Sequence, residues 1–506
     1  MYQSTRTVRL GAVAVLAVAL AWSVSCAGRA PDRAVDKAKT HPYVFRANDG
    51  QVFHAEWGWV TVPENRDDPA TRSIDLAFVR FKSTAKNPGL PIVHVAGGPG
   101  SSGIDTFRGT WSSALPILLE VADVVAFDQR GVGSSRPVLE CPQLAEIPLE
   151  AVRTAETYLQ IYREQSHACA AYWQSRGVDL GAYHTEASAD DIDALRAALG
   201  VEQVMLVGGS YGSHLVFSTI RRHGDRVQRA LVPGTEGPDH TIKLPSNVQK
   251  QLEKIGQAVA ADPALGVLVP DFMGLVRSVL GRLEKEPVTS EVGDARTGQK
   301  VKVTLSKFDL QLVTAQGLGS SAFIRQLPAA YYDMSHGDFS WLAQGILNRR
   351  RQPLSAMSSQ VDCASGISEE RAARIRREAS ETLLGDVIDF PGLAVCDAWV
   401  KHDLGPGFRG PLVSSVPALF ISGTLDGRTP PSNVDEIRAG FPNSHYVVVE
   451  YGTHSAKETI FTLPETKEAA VTFLKGGTVT LTAAALPPLE FAKPKTAPAT
   501  RVSKGR

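Results

Sequence analysis

Val204-Met205-Leu206-Val207-Gly208-Gly209-Ser210-Tyr211-Gly212-Ser213-His214-Leu215-Val216-Phe217-Ser218-Thr219-Ile220 is the stretch whose reading decides the fold. Its four leading apolar residues suit a strand buried on both faces of a parallel sheet. A Gly-x-Ser-x-Gly turn follows directly, and the run behind it can form a helix. Strand, sharp turn and helix together let a serine sit in a strained conformation with its hydroxyl exposed. The glycines remove Cβ atoms where strand and helix crowd each other. Alone, the five-residue motif is weak, because an ordinary Gly-rich βα turn has the same composition. Its surroundings carry the reading.

Eight strand-like runs lie along the chain, at 57–62, 74–82, 91–96, 121–127, 203–207, 227–232, 416–422 and 445–450. Helical patterns separate several of them. Ile192, Leu195 and Leu199 share one helical face ahead of Gly200, and Ser188-x-x-Asp191 reads as a capping box for that helix. This alternation predicts a doubly wound, mostly parallel sheet flanked by helices. From about 240 to 410 the alternation stops. Helical patterns dominate there, and the segment reads as an inserted, mainly helical cap between core segments 43–239 and 411–476.

A serine hydroxyl needs a base to become a nucleophile. Of twelve histidines, His454 in Gly452-Thr453-His454-Ser455 follows the last strand, where a doubly wound sheet presents its functional loops. His214, one helical turn past Ser210, reads as structural. The base needs a carboxylate to fix its tautomer. Asp426 supplies one in Ser422-Gly423-Thr424-Leu425-Asp426-Gly427, just past the seventh strand. The order Ser210, Asp426, His454 is that of an α/β-hydrolase. Oxyanion donors are expected from the backbone N–H of Tyr211 and, in Ala96-Gly97-Gly98-Pro99-Gly100, from that of Gly98.

The 506 residues are 43% hydrophobic and 21% charged, as in an ordinary soluble globular protein. Lysine plus arginine balances aspartate plus glutamate at 53 each, so no basic excess points to nucleic acid. Arg6 and Arg9 precede an apolar run from Leu10 to Trp22 and then small residues before Cys26. Residues 1–25 thus read as a secretory signal. The context of Cys26 resembles a bacterial lipobox, with Ser23 where a larger aliphatic residue is usual. This leaves a lipid anchor at Cys26, a freely secreted product and an uncleaved anchor as readings. Residues 27–42 are expected to be a tether, and 486–506 a disordered tail. In an exported chain the remaining cysteines suggest disulfides. Of three pairings, Cys141–Cys169 with Cys363–Cys396 is preferred, because each closes a loop of about 30 residues. No Cys/His spacing suggests a metal site, and no cofactor is called for.

The Val95–Gly100 loop resembles the HGGPG loop of proline iminopeptidases and the related tripeptidyl aminopeptidases. Asp128-Gln129-Arg130-Gly131-Val132-Gly133-Ser134-Ser135 is similar to their DQRGxGxS segment, and the elbow and triad order also match. The likeness covers roughly residues 43–475 and is weakest in the cap. It implies a serine exopeptidase acting on peptides with a free N-terminus, whose ammonium is bound by acidic groups at the cap–core boundary. Glu236 is a candidate for that role and a plain loop charge is the alternative; Asp239 is a weaker candidate. Ala96 stands where the family has histidine, which puts the local support of the loop in doubt. The cap carries no alignable pattern, so single-residue against tripeptide release stays open. The signal and cysteines are more similar to the secreted tripeptidyl-aminopeptidase branch. A carboxylesterase or lipase would use the same triad, and a non-catalytic surface binding protein is a further alternative.

Overall fold

The computed structural model describes Met1 and residues 37–495. The signal, Cys26 and residues 27–36 of the expected tether otherwise lie outside the described residues, as do 496–506. Among the described residues fourteen strands run in chain order: β1 Lys39–Arg46, β2 Val52–Pro63, β3 Ser73–Phe81, β4 Gly89–Val95, β5 Ala122–Phe127, β6 Glu140–Glu146, β7 Val204–Gly208, β8 Val227–Pro233, β9 Val288–Gly293, β10 Lys300–Leu305, β11 Arg351–Ser355, β12 Ala418–Gly423, β13 Ser444–Glu450 and β14 Ala483–Ala485. Ten form one sheet in the order β1-β2-β3-β5-β4-β7-β8-β12-β13-β14. Pairing is antiparallel from β1 to β5 and parallel from there on.

The expected sheet had eight strands; β1 and β14 are additional edge strands. β1 is mostly exposed, with Phe45 as its deepest side chain, so it has no buried-strand pattern to read. Residues 39–42 thus belong to the sheet and not to a tether. The central strands are the legible ones: every residue of β7 and β12 is buried, as solid apolar runs in a two-faced sheet must be.

The helix ahead of β7, Thr185–Ala198, starts three residues before the expected capping box. His184 caps it, its Nδ1 accepting from the Ala187 amide at 3.3 Å. Ser188 and Asp191 lie buried inside the helix, where Asp191 is needed elsewhere.

Between β8 and β12 the chain is mainly helical, with its own apolar core around Leu252, Val276, Leu310 and Tyr331. It also holds the β9–β10 hairpin and β11, which pairs antiparallel with β6. The segment around Cys141 therefore joins the cap, although the sequence reading placed it in the core. Both expected disulfides are present, Cys141–Cys169 and Cys363–Cys396. Residues 486–495 are not a free tail: Leu489 is buried, the Ala492 amide donates to Arg325 O at 2.8 Å, and the Lys495 amide donates to Asp333 Oδ2 at 3.1 Å. Few large apolar groups are needed when backbone hydrogen bonds hold a segment. No helix among the described residues is long and apolar enough to cross a membrane.

Candidate active site

Ser210 joins β7 to the helix Tyr211–His223 with φ 56° and ψ −135°, a conformation that non-glycine residues adopt only when the surroundings enforce it. The enforcement is steric. A Cβ on Gly212 would overlap Val95 O of β4, and one on Gly209 would overlap Pro233 O of β8. The Ser210 amide donates to Gly234 O at 2.8 Å. The turn is thus clamped between two neighbouring strands.

Asp426 and His454 leave the carboxyl ends of β12 and β13, which lie side by side. His454 Nε2 lies 3.1 Å from Ser210 Oγ, and His454 Nδ1 lies 2.9 Å from Asp426 Oδ2. A carboxylate accepts only, so Nδ1 carries a proton toward Asp426, and in the neutral ring Nε2 is left to accept from the serine. The amides of Arg428 and Thr429 both donate to Asp426 Oδ1 at 2.9 Å, and Thr429 Oγ1 donates to Oδ2 at 2.6 Å. Burial alone would raise the Asp426 carboxyl. The His454 charge and these hydrogen bonds outweigh it and bring the group down to about 2. Asp426 is therefore a fixed anion under the imidazole.

The Ala96–Gly100 loop lies on the elbow: a Cβ on Gly97 would meet Ser210 Cβ at 3.4 Å and Gly209 O at 3.0 Å. Gly98 has φ 116°. Neither its amide nor that of Tyr211, the first residue of the elbow helix, donates to an acceptor among the described residues. The two unpaired N–H groups flank the serine from the loop and from a helix N-terminus, where backbone donors converge.

The Asp128–Ser135 segment is scaffold. Asp128 accepts from Ser102 Oγ and the Ile104 and Ser134 amides, tying the loop region after β4 to its own turn. Arg130 is fully buried and forks onto Asp191 through two 2.7 Å hydrogen bonds, while its Nη1 reaches Glu64 O and Ala182 O. His214 is buried, with its ring nitrogens at Gly237 O (2.9 Å) and Ser365 Oγ (3.4 Å).

Glu236 is buried, as a ligand-binding carboxylate would be, but it has a partner in the chain. Lys243 Nζ lies 3.1 Å from Glu236 Oε2, an ion pair without hydrogen-bond alignment. Lys243 also donates to Thr241 O at 3.0 Å and lies 3.8 Å from Asp389 Oδ1. Asp239 is spent on structure, accepting from the amide and hydroxyl of Ser368, the cap residue of the helix Glu369–Glu381. Sequence reasoning missed the acid left over. Asp362 lies on the helix Ala356–Ser365; its backbone carbonyl accepts from the Gly366 amide at 2.9 Å, but its carboxylate has no hydrogen bond or salt bridge among the described residues. Burial is the main cause that raises its carboxyl to about 8. The Lys243 charge opposes the rise, and Glu236 and Asp389 add to it. The Glu236 amide donates to Ser213 Oγ at 2.7 Å, that hydroxyl donates to Ser210 O at 2.6 Å, and Ser365, on the helix of Asp362, lies 3.4 Å from His214 Nε2, so both acids border the elbow helix. Lys243 and Thr429 were also missed; only Thr429 had a local signal, an Asp-x-x-Thr spacing able to form a capping turn.

The family described as alpha/beta hydrolase fold matches residues 91–459, which take in the serine, the aspartate, the histidine and the glycine loop. The chain belongs to that family. Among individual proteins it is similar to the serine protease Hip1 of Mycobacterium tuberculosis (strain ATCC 25618 / H37Rv), 30% identical over 188 residues covering 36% of each chain. It is also similar to the tripeptidyl aminopeptidase of Streptomyces coelicolor, 32% identical over 198 residues, 36% of this chain and 35% of that one. Carboxylesterase B of Mycobacterium tuberculosis (strain CDC 1551 / Oshkosh) is 31% identical over 204 residues, 38% of each. The matched portion is little more than a third of the length of each of these relatives.

Proposed function

We propose that this α/β hydrolase is an exported serine aminopeptidase that removes residues from the free N-terminus of a peptide. The observation that carries the reading is the unbroken chain from Asp426 through His454 to Ser210, at 2.9 and 3.1 Å. Ser210 Oγ attacks the scissile carbonyl as His454 Nε2 takes its proton. The Gly98 and Tyr211 amides receive the oxyanion. The imidazolium, stabilised by Asp426, protonates the leaving amine, and water releases the acyl-enzyme by the same route.

Preference for a free ammonium is supported by the charge at the border of the elbow. Glu236 and Asp389 lie 3.1 and 3.8 Å from the ammonium of Lys243, and the Lys243 charge also acts on the Asp362 carboxyl. Since Glu236 is already paired, Asp362 is the acid to which we assign the substrate ammonium, with Glu236 and Lys243 as its support. A bound cation would draw Asp362 into its charged form and give a charge-assisted contact. Two disulfides suit an oxidising compartment, and the signal-like N-terminus fits export, by secretion or through a lipid on Cys26.

The named relatives include a protease, an aminopeptidase and a carboxylesterase, so ester hydrolysis is the second reading. Aminoacyl-arylamides, their N-acetylated forms and short acyl esters separate the two. The aminopeptidase reading expects cleavage of the free-amine arylamides and loss of cleavage on acetylation. Ester turnover with no arylamide cleavage contradicts it.

A further inference from the structure

The glycine loop beside Ser210 lacks the histidine of the family it resembles and has Ala96 in that place. Its support comes from elsewhere. Gln129 Nε2 donates to Ala96 O at 2.9 Å, and the Ser101 amide closes a turn onto Gly97 O at 3.3 Å. The third contact comes from the cap: Ser358 Oγ donates to Pro99 O at 2.8 Å. We propose that Ser358 is a positioning residue for the oxyanion loop, so that seating of the Ala356–Ser365 helix on the core sets the aim of the Gly98 amide. The proposal rests on the reading of Gly98 as an oxyanion donor.

The fit between helix and loop is two-sided. A Cβ on Gly100 would overlap Ser358 Oγ, and one on Gly131 would approach Met357 Cβ to 3.1 Å. The glycine loop and the Asp128–Ser135 segment thus form a notch that admits the first turn of this helix. The turn cannot drift within the notch. The Ala356 amide donates to Leu139 O at 2.9 Å, and Ser355 Oγ caps the helix by accepting from the Ser358 amide at 3.3 Å. At the far end Ser365 Oγ lies 3.1 Å from Thr185 Oγ1 and 3.4 Å from His214 Nε2, and the Cys363–Cys396 disulfide ties the same turn to the cap. Ser358, Asp362 and Ser365 are spaced i, i+4, i+7 and share one helical face.

Pro99 follows Gly98 directly. A donor on Pro99 O restrains the part of the loop that glycine leaves soft, at a backbone angle of φ 116°. Oxyanion donors act by being aimed before charge develops, and a misplacement of about 1 Å can cost about 10²-fold in rate. The hydroxyl of Ser358 therefore bears on the transition state without touching substrate.

The test uses the full chain with Ser358→Ala and Ser358→Thr, assayed on an aminoacyl-arylamide and with a fluorophosphonate probe. Ser358→Ala should lower kcat about three- to tenfold, the range of one neutral hydrogen bond, with KM and the thermal midpoint nearly unchanged. The rate of fluorophosphonate labelling should fall in parallel, and Ser358→Thr, which keeps the hydroxyl, should recover most of the loss. Unchanged kcat and labelling in Ser358→Ala overturns the proposal. So does a pure KM effect, which marks substrate contact, or a lowered midpoint with unchanged kcat per labelled site, which marks packing alone. Ser210→Ala measured alongside keeps the failures distinct. Residual hydrolysis there overturns the active-site reading itself. An inert Ser210→Ala beside a fully active Ser358→Ala overturns only the role of Ser358.

Discussion

Thr429 Oγ1 donates to Asp426 Oδ2 at 2.6 Å, the same oxygen that faces His454 Nδ1 at 2.9 Å. The hydroxyl also lies 3.0 Å from that ring nitrogen. Asp426 is therefore held from both sides, by backbone amides on Oδ1 and by Thr429 on Oδ2. Gly234, at φ 65°, leaves the space in which Thr429 sits.

Asp426→Asn is expected to keep the geometry and reverse the tautomer of His454, lowering kcat by about 10⁴. Thr429→Val, which removes one supporting donor, should lower kcat about three- to tenfold. Steady-state kinetics on an arylamide checks both. A larger effect from Thr429 than from Asp426 would contradict the assignment of roles.

Asp426 also makes an acid-stability prediction. Its folded carboxyl titrates at about 2, below the ordinary 3.8. The unfolded state binds its proton first as pH falls, so the stability Asp426 adds is full above about pH 4 and is lost as pH falls through about 2. Chemical denaturation of wild type and Asp426→Asn at pH 6, 4 and 2.5 should show the difference between them shrinking toward the lowest pH.

Asp362 carries the opposite sign. Its folded carboxyl keeps its proton up to about 8, whereas the unfolded group ionises near 3.8. The folded state binds the extra proton in between, so stability should decline as pH rises from about 4 to about 8 and level off above. Asp362→Asn should flatten that decline. In the same variant KM for a free-amine arylamide should rise while turnover of an acyl ester changes little. A uniform loss on both substrates would remove the ammonium assignment.

Arg130→Met strips the fork from buried Asp191 and is expected to cost about 3–5 kcal/mol, because it removes the buried cation and leaves the carboxylate with Arg66 alone. Urea unfolding of the variant checks this. Arg66, 2.7 Å from the same carboxylate and part-exposed, retains some compensation, so a result at the lower end is expected.

Much of this was legible in the sequence. β7 and β12 are unbroken buried runs, and Ser210, Asp426 and His454 each sit just past the carboxyl end of a parallel strand, β7, β12 and β13. That placement is local and leaves a pattern. Edge strands do not: β1 alternates weakly because most of it faces solvent. The Ser188–Asp191 spacing misled for a related reason, since Asp191 serves Arg130 across 61 residues and not the helix end. Glu236 was readable as a buried acid beside the site. Its neutralising partner Lys243 was not, because the pair depends on how the loop after β8 folds back. Ser358 leaves no mark at all in the sequence, as its acceptor lies 259 residues away.

The most direct test of the whole account is peptide mapping after fluorophosphonate labelling, paired with arylamide hydrolysis by wild type and Ser210→Ala. The account predicts one adduct per chain, on the peptide containing Ser210, with both adduct and hydrolysis abolished in Ser210→Ala. An adduct on another serine, or hydrolysis that persists in Ser210→Ala, contradicts it.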